Sequence, residues 1–278
     1  MPLTVTALYT YPVKSCARLA HEQITLDARG PLYDRRWMVI SDAPGEEGRF
    51  LTQRELSRLA VVQPAFTGDA LSLTAPGMPE IRIPLEERSG PTRRVVIWRD
   101  TCKGADEGDE AARWLSDYLD YPARLVRMPD DYVRRVDSRY SPQFAQVGFA
   151  DGYPLLLAQE ASLKELNHRL AARGKMPVPM SRFRPSVVID GGAPFEEDTW
   201  RRLEIGGIPV DVVKPCARCV TTTVDQTTGH APQAEEPLAT LATFRKKGNG
   251  VIFGQNAVHR AQGMLQIGAE VKVLEVSQ

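Results

Sequence analysis

Short runs in which apolar and polar residues alternate dominate the chain. "LTVTALYTYPV", residues 3–13, alternates and is rich in Val, Thr and Tyr, which suit a pleated, half-buried surface. "RRWMVISD", "ALSLTAPG", "IRIPL", "RRVVIWRD", "PARLVRM", "YPLLLAQ", "SVVIDG", "RLEIGGIPVDVV", "CVTTTVD", "GVIFGQNAV" and "AEVKVLEV" read as further short strands, punctuated by Gly, Pro, Asn or Asp. Helical spacing is confined to three places. Over 106–120, Ala111, Ala112, Trp114, Leu115, Tyr118 and Leu119 share one broad face; over 160–174, Leu163, Leu166 and Leu170 do so, with Gly174 as a C-terminal stop. A third, shorter helix is expected near Pro237. The pattern predicts a mainly β fold with a few helices (α+β) and barrel-like sheets. Periodicity lapses over 128–153, "MPDDYVRRVDSRYSPQFAQVGFADGY", where Pro, Asp and Arg accumulate. A long irregular stretch is either a linker or a functional loop. The expected division is a smaller N-terminal β unit, residues 1–122, and a larger β-rich domain, 123–278.

Composition narrows the class. At 278 residues, 42% apolar and 25% charged, the chain can bury a large core and is not disordered. Thirty-five basic residues balance 35 acidic ones, so no basic field gathers nucleic acid or an acidic membrane. Any phosphate site must be a local cluster. No apolar run approaches the roughly 20 residues of a membrane span. The start, "MPLTVTALYTYPVKSC", lacks the basic opening and unbroken apolar stretch of a signal peptide. Four cysteines in a chain this long do not form a secreted disulfide framework. The expectation is a cytoplasmic protein with reduced thiols.

The chemistry concentrates in "KPCARCVTTTVDQTTG", residues 214–229. A redox Cys-x-x-Cys places its first thiol at a helix N-terminus, where the dipole lowers its pKa. Here the flanks "IPVDVV" and "VTTTV" both read as strand, which disfavours that reading. A structural zinc site takes about four ligands in close pairs. Cys16 and Cys102 are single and distant, and His21, His168, His230 and His259 form no pair at ligand spacing. Both cysteines could be buried small residues, a common fate of free Cys. The remaining option is one thiolate as metal ligand. Strand alternation would set Cys219, Thr221 and Thr223 on one face, and Arg218 would favour the thiolate if its charge lies near. A single thiolate needs a cofactor that brings most of the metal's other ligands, as an organic dithiolene does.

"PCARCVTTTVD" closely resembles the MOSC domain, shared by molybdenum-cofactor sulfurases and the amidoxime-reducing (mARC-like) molybdenum enzymes. "YPVKSC" and "DRRWMVI" are similar to the N-terminal β-barrel domain of these proteins; "RFRPSVVID", "CARCVTTTVD" and "GVIFGQNAV" are similar to the MOSC domain itself. The resemblance implies Cys219 as the catalytic residue and molybdenum ligand, with Cys216 as a neighbour. The implied cofactor is molybdenum cofactor (Mo-molybdopterin), whose dithiolene sulfurs are soft donors like the thiolate. For its phosphate the resemblance points to Lys14, Ser15, Arg35 and Arg184: a point charge, a hydroxyl and two planar forks. Asp151, Gly152 and Tyr153 in "FADGYP" are candidates to line the cofactor, with Ser186, Asn256 and its neighbour Gln255.

Two departures accompany the likeness. Relatives often carry Asn where this chain has Ser186. Some bacterial relatives continue into a ferredoxin-like domain, whereas this sequence holds no further four-cysteine cluster set; the membrane-anchoring segment of animal relatives is likewise not expected. The function implied is reduction of small N-hydroxylated compounds (amidoximes, hydroxylamines, N-hydroxylated bases). Electrons would come from a separate donor protein of ferredoxin, flavoprotein or cytochrome type, with no nucleic-acid or membrane partner. The alternative is a cofactor-binding or sulfur-carrier module without reductase activity.

Overall fold

The structure is a computed structural model and describes residues 2–86 and 90–277. The principal strands of its two main sheets are, in chain order, β1 (Leu3–Thr10), β2 (Val13–Lys14), β3 (Trp37–Ser41), β4 (Thr92–Ile97), β5 (Asp100–Asp106), β6 (Ala123–Arg127), β7 (Leu155–Gln159), β8 (Val187–Asp190), β9 (Trp200–Ile205), β10 (Ile208–Arg218), β11 (Gly250–His259) and β12 (Glu270–Val276); the short strands Leu19–His21 and Lys246–Lys247 pair with β1 and β11. Three helices accompany them: α1 (Asp109–Leu119), α2 (Glu160–Ala172) and α3 (Leu238–Ala242). The protein is mainly β, as its alternation predicts.

Seven strands close a barrel in the order β7-β8-β1-β12-β9-β10-β11, with β11 pairing back onto β7. Closure removes free edges, and the inward positions fill with apolar side chains. Val5 and Leu8 of β1, Leu157 of β7, Val187 and Ile189 of β8, and Trp200, Leu203 and Ile205 of β9 form that core. The β9–β10 hairpin turns on Gly206 and Gly207, both at positive φ (57° and 85°), as a tight two-residue turn demands. A second sheet runs β4-β5-β6-β3-β2. There α1 lays Trp114, Leu115 and Tyr118 against Trp37, Val39 and Leu125. Helix α2 ends where the sequence indicates: Gly174 adopts φ 67° and donates to the Ala171 carbonyl at 2.9 Å.

The sheets interleave along the chain. β1, the first strand, closes the barrel between β8 and β12, and β6, beyond residue 122, pairs with β3 in the second sheet. One predicted strand is absent. "CVTTTVD" is a short 3-10 turn, Val220–Thr223, and β10 runs through Cys216 to Arg218 instead. The threonines turn the chain away from the sheet. Thr222 and Thr223 hydroxyls donate to the carbonyls of Cys219 and Val220, each at 2.9 Å, and the buried Arg182 guanidinium takes the Thr223 carbonyl. The proposed face of Cys219, Thr221 and Thr223 therefore does not exist. Strands at Gln23–Asp27, Gln63–Thr67 and Asp100–Asp106 went unforeseen. "DTCKGAD" carries weak strand propensity and is a strand because β4 and β6 flank it.

Residues 128–154 hold no helix or strand of the main sheets and pack as a loop. Arg134, 6% exposed, pins it: its guanidinium donates to the carbonyls of Gly148 (2.8 Å), Ala150 (2.5 Å) and Asp151 (3.3 Å) and pairs with Asp100 at 2.6 Å. Of the two readings offered by the sequence, the stretch is an ordered loop rather than a free linker. Among the described residues no helix is long and apolar enough to cross a membrane.

Candidate functional site

One open pocket lies where the barrel meets the second sheet, and the irregular loop forms part of its wall. Its floor begins at the end of β2. Strand pairing with β3 buries Lys14, and the chain then leaves the sheet at Ser15, whose φ is 71°. The Lys14 ammonium meets Asp151 Oδ1 at 2.5 Å and lies 5.4 Å from the Phe50 ring centroid. Burial pulls the Lys14 pKa below its usual value even though Asp151 opposes this. The Asp151 carboxylate stands at the rim, 71% exposed. Its packed surroundings push its pKa up, but Lys14 and the Trp98 indole N–H, 3.1 Å away, outweigh them and hold it below the usual carboxylate range.

Two arginines form the next part of the wall. Arg35 (φ 46°) and Arg184 (φ 54°) both occupy the left-handed region, uncommon for such residues, and each guanidinium lies 4.2 Å from the Tyr11 ring centroid. Arg35 pairs with the buried Asp34 at 2.5 Å, and Asp34 also accepts the Tyr11 N–H at 2.6 Å. Arg184 donates to Gln226 Oε1 at 3.0 Å. Burial, together with the like charge of Arg35, drops the Arg184 pKa to about 10 despite the opposing pull of Tyr11. Desolvation pushes the Tyr11 hydroxyl up to about 12.

The cysteines arrive on β10 and just after it. Cys216 and Arg218 lie side by side: Arg218 Nη1 approaches Cys216 Sγ at 2.8 Å, and Nη2 donates to the Phe183 carbonyl at 2.7 Å. Arg218 thus serves Cys216, not Cys219 as its sequence position suggested. Cys219 Sγ sits 3.4 Å from Thr221 Oγ1. Burial raises its thiol pKa, but the Thr221 hydroxyl and N–H and the Arg54 guanidinium act against this, and the net direction is down. Arg54 escaped the sequence reading because it is far away in the chain and matches no motif. All four cysteines are free thiols.

The pocket gathers most of the predicted site residues: Lys14, Ser15, Arg35, Asp151, Gly152, Tyr153, Arg184, Ser186, Cys219 and Asn256. A Cβ built on Gly152 would meet no atom within 4 Å, so that backbone faces open space. Ser186 is fully buried, and its hydroxyl accepts the Leu156 N–H at 3.4 Å. Gln255 does not join them; its amide reaches Asp198 at 2.7 Å instead. Thr221 lines the pocket, whereas Thr223 does not. Phe50, Thr52, Arg54 and Trp98 also line it without having been foreseen. The one available signal was "VVIWRD", where an aromatic residue lies within the hairpin turn.

The charge pattern defines what can bind. Five basic side chains (Lys14, Arg35, Arg54, Arg184, Arg218) line the pocket against the single carboxylate of Asp151. Arg218 Nε is buried without a hydrogen-bond partner within the protein. Such a pocket fits an anionic group with several acceptors. Among the described residues no three His, Cys, Asp or Glu side chains converge as a metal site. A metal bound at the Cys219 thiolate would therefore draw its other ligands from the anionic group.

Two family models match the chain. The family model described as the MOSC N-terminal beta barrel domain matches residues 2–122, and that of the MOSC domain matches residues 145–272. Mitochondrial amidoxime-reducing component 1 of Xenopus laevis is 32% identical over 286 residues, covering 96% of this chain and 81% of its own. Mitochondrial amidoxime reducing component 2 of Homo sapiens is 36% identical over 251 residues, covering 87% and 72%. Among solved structures, the YuaD protein of Bacillus subtilis aligns over 98% of this chain and 94% of its own, at 11% identity and a TM-score of 0.44. That last likeness adds nothing to the family match.

Proposed function

The chain belongs to the MOSC family and is homologous over nearly its full length to the amidoxime-reducing components; from this premise we propose that it is a molybdenum-cofactor-dependent reductase of N-hydroxylated compounds. The observation that carries the reading is the meeting of a lowered-pKa thiol, Cys219, with an excess of basic side chains in one pocket. Molybdopterin is anionic and brings a dithiolene, so it meets both halves of that arrangement. When bound, the cofactor supplies the two-electron chemistry at oxygen that side chains lack.

The residues divide the remaining work. Cys219 would hold the metal as its single protein ligand. Lys14, Ser15, Arg35 and Arg184 would hold the phosphate; the arginines are set by their packing on Tyr11 and so would lose little freedom on binding. Ser186, Asn256 and the Asp151–Tyr153 backbone flank the pterin, and the Arg218 Nε–H is a donor waiting for it. Asp151 sets the position of Lys14. The overall reaction consumes an amidoxime, two electrons and two protons, breaks the N–O bond, and yields an amidine and water. The electrons come from a separate donor protein.

The test is metal and pterin content of protein made in a host that synthesises molybdenum cofactor, with reduction of benzamidoxime by a dye donor. Wild type should carry both molybdenum and pterin. Loss of a contact that merely supports a metal ligand costs about 10–100-fold. Cys219→Ala, which removes the ligand itself, should lose more than about 100-fold in turnover and release or alter the metal. Cys216→Ala should lose less. Equal loss in both variants overturns the single-ligand assignment, and bound pterin without multiple turnover turns the reading to a cofactor carrier.

A further inference from the structure

Trp98 is the outlier among four tryptophans. Trp37, Trp114 and Trp200 are 6% exposed or less, whereas Trp98 is 45% exposed and stands in the wall of the pocket. It occupies the first of two turn residues between β4 and β5, at φ 54°. Glycine is favoured there, and a bulky residue at positive φ is strained. Strain of this kind, kept at the mouth of a pocket, points to a task for the side chain. The ring is held from several sides. Its Nε1 donates to Asp151 at 3.1 Å, and Phe50 meets it edge-on at 4.9 Å between centroids. The Arg54 guanidinium lies over it, 4.4 Å from the ring centroid. Arg54 lines the same pocket as Cys219.

A guanidinium is a flat N–C–N group. An amidoxime or N-hydroxyguanidine shares that flat N–C–N core, and so does the amidine product. The indole thus already carries, in Arg54, the shape of such a substrate next to the thiol. We propose that Trp98 is a specificity-determining substrate contact. Its ring takes the planar N–C–N group and attached aromatic ring of the substrate, displacing Arg54, whose freed guanidinium then donates to the substrate's N–O oxygen. The platform favours planar aromatic amidoximes over small, non-planar hydroxylamines. This inference rests on the reductase reading given above and names the substrate class of that site.

Because the other tryptophans are buried, acrylamide quenching of emission from the holoprotein reports Trp98. Benzamidine, the unreactive product-side compound, should shield Trp98 and lower the quenching slope as it is titrated in; methylamine at the same concentration should not. Trp98→Gly removes the ring while suiting the backbone, so the turn should keep its form. In that variant kcat/KM for benzamidoxime relative to hydroxylamine should fall about tenfold, mainly through KM, the scale of one lost aromatic contact. Trp98→Phe should restore most of the ratio. Unchanged quenching with benzamidine, or equal loss for both substrates in Trp98→Gly, overturns the proposal. Should the holoprotein reduce neither compound, the reductase reading fails, while the benzamidine titration still decides whether Trp98 binds a planar N–C–N group.

Discussion

At the scale of single residues, burial decides which groups keep their charge. Glu197 shows it away from the site. It is fully buried, and Ser162 Oγ lies 2.8 Å from both carboxylate oxygens. Desolvation outweighs those bonds and pushes its pKa up from 4.5 to about 7. Between those values the native chain binds a proton that the unfolded chain releases. This group's contribution therefore falls as pH rises through the window, and its cost is complete above about pH 7. The cost is at most about 3 kcal/mol. Glu197→Gln should flatten that part of the stability profile, so urea midpoints measured at pH 5 and pH 8 should lie closer together than in wild type. A difference between the two pH values as large as in wild type would mean Glu197 titrates normally. None of this is legible in "FEEDTW", where Glu197 looks like its neighbours Glu196 and Asp198. Lys14 and Arg184 were accessible through motif likeness, but their lowered pKa values arise from a burial that only the folded chain creates.

At the scale of elements, the strands were legible because their alternation is local, and the misreading of "CVTTTVD" has a local cause too. β-branched residues favour strands, but threonine hydroxyls also bond the backbone, and here the second tendency wins. The loop of 128–154 is the converse case. Its sequence shows no periodicity, yet one buried arginine orders it. Arg134 gathers three carbonyls and ties them to Asp100, two residues after Trp98, so it couples the loop bearing Asp151 to the hairpin bearing Trp98. Arg134→Ala leaves those carbonyls without their donor. Asp100 is half exposed and screened by water, so the expected loss is about 2–3 kcal/mol, below that of a fully buried pair. Arg134→Lys should recover little of it, because an ammonium cannot present the same fork. Chemical denaturation gives the first number. Hydrogen exchange at residues 148–153 should rise in both variants; protection at the wild-type level would show that the loop is held by other contacts.

At the scale of the whole molecule, the linear division of the chain and the spatial division of the sheets are different things. Local patterns cannot reveal this, because sheet partners are chosen by long-range pairing. β1 belongs to the unit that comes first in sequence, yet it fills the gap between β8 and β12 in the barrel. Removing it would leave two strand edges open and expose apolar core residues such as Val187, Ile189 and Val271. The pocket depends on the same interleaving: Lys14 and Ser15 come shortly after β1, at the end of β2, so the strand that closes the barrel leads the chain into the pocket that holds Cys219. A fragment of residues 123–278 should therefore fail to fold cooperatively, giving a broad denaturation profile and poor amide dispersion. The same fragment with residues 2–10 joined through a flexible linker should recover a sharp transition. Cooperative folding of the bare fragment would show that the barrel closes without β1, and the two parts of the chain would then be independent domains.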